Sequence, residues 1–126
     1  MYEDWGLNKL YERIDHEMDD EKGHANNLIK RILFLEAPPT IGNRTPLNID
    51  KDVPKMLTSD LVLERSVITA LRKVIALCET EQDFQTREIL EVMLADTEED
   101  HTYWLEKQLG LIDKVGLQNY LQSQMS

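Results

Sequence analysis

Two stretches of the chain, Glu21-Lys22-Gly23-His24 and Glu98-Glu99-Asp100-His101, each set a carboxylate and an imidazole three positions apart. On a helix that spacing projects both groups from one face. From Leu7 onward, Leu7, Leu10, Ile14, Glu17, Glu21, His24, Leu28, Arg31 and Leu35 follow a 3-4-3-4 rhythm, widened by Met18, Ile29 and Ile32. The rhythm predicts an amphipathic helix with polar groups set into its apolar stripe. The second pair falls on the stripe Leu90, Leu94, Glu98, His101, Leu105 and Ile112 of another helix. An unpaired charge in such a place costs several kcal/mol. A fold that accepts both stretches must therefore neutralise them.

The remaining elements also read as helix. Ala37-Pro38-Pro39 stops the first one near Glu36. A second begins about Asp52, a suitable N-cap, with Pro54 in its first turn. Its stripe of Leu57, Leu61, Glu64, Ile68, Leu71, Ile75 and Cys78 runs to about Gln82. The third starts at Phe84, capped by Asp83, and ends near Lys114 and Gly116. A brief terminal helix fits Leu117-Gln118-Asn119-Tyr120-Leu121. The tight turn at Gln82-Asp83 makes the second and third helices antiparallel neighbours. The connection from Ala37 to Asp52, about 16 residues, is long for a compact domain. Extended, it reaches about 50 Å, whereas a helix of about 28 residues is roughly 42 Å long. It can therefore run the length of a bundle and leave the first two helices parallel.

Chemistry narrows what fills the core. Glu64 sits on its stripe at a depth similar to the two pairs, so three carboxylates and two imidazoles converge in an apolar interior. Cations neutralise such a set best. Oxygen ligands with imidazole suit iron or manganese, and the thiolates that would favour zinc are absent. One Glu-x-x-His alone is a weak sign, since most such pairs are solvated. Two on core stripes with a core glutamate between them are hard to explain as surface charge. The composition agrees: 24 acidic against 14 basic side chains leave a formal charge of −10, which disfavours nucleic acid and anionic membranes and favours cations. The apolar runs are short and no signal peptide opens the chain, so a cytoplasmic protein is expected. The single cysteine, Cys78, fits a reducing compartment and reads as a small core hydrophobe.

Met1-Tyr2-Glu3-Asp4-Trp5-Gly6, Arg31-Ile32-Leu33-Phe34-Leu35-Glu36, Trp104-Leu105-Glu106 and Gly116-Leu117-Gln118-Asn119-Tyr120-Leu121-Gln122 resemble stretches of bacterioferritins and the related bacterial ferritins. The resemblance covers nearly the whole chain. It matches the family's second to fifth helices and begins at the end of the first. It implies an all-α, ferritin-like four-helix bundle missing its first long helix, with one long crossover and a short C-terminal helix. On this reading residues 1–126 form one such domain, N-terminally truncated. Ferritin-like di-iron proteins carry a Glu-x-x-His on each of two helices and a lone Glu on each of the other two. Here Glu64 is one lone Glu, and the first-helix one has no counterpart.

By resemblance, Glu21 and Glu98 bridge two irons, His24 and His101 each ligate one, and Glu64 is a terminal ligand beside His101. The family oxidises Fe(II) with O2 or H2O2 at this centre and stores ferric mineral inside a shell of 24 subunits. Self-association or co-assembly with other ferritin subunits is thus expected. His16 and Asp20 match an inner-surface iron site of some members, although a solvated helix face explains them equally well. In bacterioferritins proper a methionine follows the first motif's glutamate and ligates haem. Lys22 stands there instead, a poor ligand when protonated, so haem is not expected. Two alternatives remain: a haem-binding subunit using Met18, and an incomplete structural subunit that co-assembles with a complete ferritin.

Overall fold

The computed structural model describes residues 2–3, 5–35 and 52–125. Among them the secondary structure is helical: α1 Asn8–Phe34, α2 Val53–Thr80, α3 Phe84–Ala95, a π-helical segment Asp96–Thr102, α4 Tyr103–Val115 and α5 Leu117–Ser123. The all-α expectation holds. The crossover expected between Ala37 and Asp52 lies outside the described residues, apart from Asp52 itself.

Each boundary has a local cause. Gly6 takes φ +72, a conformation that glycine adopts without steric penalty, and its N–H donates to the Glu3 carbonyl at 2.9 Å. That turn leads into α1. The Asp52 side chain accepts from the Lys55 N–H at 3.1 Å and starts α2. Asp83 does the same for α3, accepting from the Thr86 N–H at 3.2 Å and its hydroxyl at 2.6 Å. Gly116, at φ +85, separates α4 from α5.

Cross-links between helices establish their directions. Along α1, Arg13 pairs with Asp100, His24 with Asp96, and Arg31 with Asp83. Along α2, Arg65 pairs with Glu106 and Arg72 with Glu98. As either helix ascends in number its partners descend, so α1 and α2 both run antiparallel to the α3–α4 arm and parallel to one another. The long connection predicted this arrangement. Opposite the arm, a groove of about 330 Å³ lies between α1 and α2, lined by Ile14, Glu17, Met18, Glu21, Lys22, Asp60, Leu63 and Glu64.

The core divides in two. One cluster gathers Tyr2, Leu7, Leu10, Val53, Leu57, Leu61, Leu105 and Tyr120. The other gathers Leu71, Cys78 and Leu90, with Leu28, Val67, Ile75, Met93 and Leu94 against it. On α1, α2 and the π segment a polar layer falls between these clusters: the buried His24, Thr97 and His101 and the half-buried Glu64. Apolar burial, worth about 25 cal/mol per Å², thus clamps a polar layer from both ends.

Candidate metal centre

His101 occupies the middle of that layer and is completely buried. Its Nδ1 lies 3.6 Å from Glu21 Oε1 and 3.9 Å from Glu64 Oε1. Neither distance is a hydrogen bond, and this buried nitrogen has no hydrogen-bond partner among the described residues. Glu21, Glu64 and His101 each offer one ligand atom, all within 4.8 Å of one another. A buried atom left without a partner costs about 1–3 kcal/mol. A cation held by the two carboxylates and Nδ1 would satisfy it, so the donor set fits a metal of the oxygen- and imidazole-binding kind.

His24 approaches from the other side. It is buried, with Nδ1 3.9 Å from Glu21 Oε2 and Nε2 2.8 Å from Asp96 Oδ2. Glu21 therefore stands between the two imidazoles, one oxygen toward each. His101 Nε2 is directed to Asp20 Oδ2 at 3.3 Å. Asp20, Asp100 and His101 form a second convergent set of ligand atoms. His16 Nε2 comes within 3.7 Å of Asp20 at a mostly exposed position, so the expected His16–Asp20 proximity exists on the bundle surface.

Glu98 is placed differently. Its Oε1 accepts from Arg72 at 2.6 Å, so it differs from Glu21 in its partner and not in exposure, the two side chains being 42% and 54% exposed. It is not among the atoms that converge on His101. The apolar stripe had put Glu98 inward. In the structure Thr97 takes the inward position at 2% exposed, because the widened π turn shifts which residue of Asp96–Thr102 meets the core.

Electrostatics makes the layer hungry for positive charge. Burial raises the Glu64 carboxyl to about 7; His101 opposes the rise, and Glu21, Glu17 and Asp60 add to it. Burial, with Glu17 nearby, raises Asp60 to about 6. Glu17 is raised as well, chiefly by burial, against the pull of His101 and Arg13. Arg13 braces this rim, bonding Glu17 at 3.0 Å and Asp100 at 2.7 Å while its guanidinium stacks 5.1 Å from the Trp104 ring centre.

Sequence spacing thus located Glu21, His24, Glu64 and His101, which come together, and Glu98, which stands apart. It missed Asp60, Asp96 and Asp100. Asp60 was within reach of the same logic, since it precedes Glu64 by one helical turn on the α2 stripe. Asp96 left no such sign: its partner lies on another helix.

Comparison with known proteins follows the same lines. Residues 1–115 match the Ferritin-like domain family. A "Bacterial ferritin" of Synechocystis sp. is 63% identical over 126 residues, covering 100% of this chain and 81% of that protein. A "Bacterial ferritin" of Pseudomonas aeruginosa is 58% identical over 125 residues, 99% of this chain and 80% of the other. A "Bacterioferritin" of Rhodobacter capsulatus is 35% identical over 120 residues, 95% and 74% respectively.

Proposed function

The chain belongs to the ferritin-like family, and on that premise we propose that it stores iron, oxidising Fe(II) at the centre built on Glu21, Glu64 and His101. The observation that carries the reading is the buried Nδ1 of His101, without a hydrogen-bond partner among the described residues and facing two carboxylates. His24 joins through the second oxygen of Glu21. Glu98 belongs to the proposed set by its spacing from His101, and joining it means giving up the Arg72 pair.

Fe(II) is the substrate, and each ion gives up one electron to O2 or H2O2. The protein's part is to bind and orient. Glu21, shared between two imidazoles, holds two positions close together. The proton on Glu64 must leave when a cation enters, and the raised Glu64 makes that exchange occur near neutral pH. The groove between α1 and α2, with Glu17, Asp60, Glu21 and Glu64 along it, is an acidic approach to the centre. Haem is no part of the proposal: Lys22 stands where the resemblance calls for a thioether, and Met18, one turn earlier, lines the same groove as the position the haem-binding alternative would use. Among the described residues no helix is long and apolar enough to cross a membrane. Ferric product is held, on this reading, inside an assembly of such subunits.

The test is stopped-flow Fe(II) oxidation by O2 in the assembled protein. His101→Ala is expected to remove the fast phase. An unchanged initial rate would end the site assignment.

A further inference from the structure

Both imidazoles of the centre are held in the same way. Each turns Nδ1 toward Glu21, at 3.9 Å for His24 and 3.6 Å for His101. Each turns Nε2 toward an aspartate: His24 to Asp96 at 2.8 Å and His101 to Asp20 at 3.3 Å. The two aspartates do not occupy equivalent places in their motifs. Asp20 directly precedes Glu21, whereas Asp96 lies two residues before Glu98 and opens the π segment. Thr97, the residue between, is buried and points elsewhere. Asp96 keeps helical dihedrals and its N–H still reaches the Val92 carbonyl, so it faces α1 from the junction of α3 and the π segment.

We propose that Asp96 is a positioning residue that fixes the ring and tautomer of His24, so that Nδ1 presents a lone pair to a metal held by Glu21. A carboxylate is an acceptor only. At 2.8 Å it therefore keeps the single proton of neutral His24 on Nε2. Nδ1 is then free of hydrogen and faces Glu21 as a ligand. Without Asp96, the proton moves to Nδ1, where Glu21 is the nearby acceptor, and the ligand lone pair is capped. The inference rests on the proposed metal-binding function for its consequence, but the tautomer exists in the metal-free protein and is read there.

The experiment uses the full chain labelled with [15N]histidine. Solid-state 15N spectra at pH 7.5 without metal report the tautomer of each imidazole, and the three histidines are assigned with a His16→Asn and a His24→Asn sample. Co(II) titration then reports affinity. In the parent protein His24 is expected as the Nε2–H tautomer. In Asp96→Ala, and in the acceptor-free Asp96→Leu should the alanine variant fold poorly, the His24 signals shift to Nδ1–H or to a mixture. Co(II) affinity drops about 10–100-fold, the range for groups that orient a metal-bound histidine, with the thermal midpoint held. Retention of the Nε2–H tautomer in both variants overturns the proposal, as does a tautomer change that leaves Co(II) affinity within twofold. A parent protein that binds no Co(II) defeats the metal reading while the tautomer spectra still decide the role of Asp96.

Discussion

The two Glu-x-x-His stretches are spelled alike and fold differently. Glu21 and His24 lie on the regular α1 helix, where three residues nearly complete a turn, and both reach the polar layer. Glu98 and His101 lie on the π segment. There His101 is completely buried, while Glu98 turns to Arg72 at the rim. A spacing of three marks one face only when the backbone is α-helical. π turns are frequent at functional sites, and along the one here Thr97 takes the buried place while Glu98 is engaged by Arg72.

That contrast can be broken experimentally. The largest effect is expected from Glu21→Ala set against Glu98→Ala. Glu21 serves both imidazoles, so its loss should lower Co(II) affinity at least about 100-fold, beyond the range for outer groups. Glu98→Ala should leave binding of the first ion within about threefold, because Glu98 is engaged elsewhere. Equal losses in the two titrations would mean that Glu98 swings in whenever metal arrives, and the asymmetry would vanish.

A pH profile sharpens the contrast next. Glu64 and Asp60 hold their protons more tightly in the folded chain than in the unfolded one. Folding then takes up protons, so stability without metal falls as pH rises, from 4.5 to about 7 through Glu64 and from 3.8 to about 6 through Asp60. Urea midpoints at pH 5 and 7.5 should show the metal-free protein more stable at the lower pH. Glu64→Gln should remove most of that slope. A slope of the opposite sign would mean the polar layer does not bury these carboxylates as described.

The smallest effect belongs to the rim. Arg65 and Glu106, at 3.2 Å, are about half exposed, and such pairs contribute about 0–1 kcal/mol. Arg65→Ala should move the thermal midpoint little. Arg72→Ala, at the Glu98 pair, should be comparably mild for stability yet free Glu98. A larger loss there than at Arg65 would show that the Glu98–Arg72 bond holds the π segment in place.

The amino-acid sequence alone determined which segments are helical and how they are capped, and it allowed a parallel α1–α2 pair, while the π segment inside the expected third helix went unannounced. Asp52 and Asp83 act locally, the apolar stripes have a fixed period, and the length of chain between Ala37 and Asp52 permits a parallel pair. It also determined four convergent ligand candidates, Glu21, His24, Glu64 and His101, because polar residues on core stripes announce themselves by spacing. Tertiary structure decided the rest. Whether Glu98 or Thr97 meets the core depends on a turn geometry that has no clear signature in the residues. Which aspartate holds which imidazole depends on distances across helices, such as the 2.8 Å between His24 and Asp96, and contacts between remote segments exist only once the apolar clusters at either end have brought the helices together.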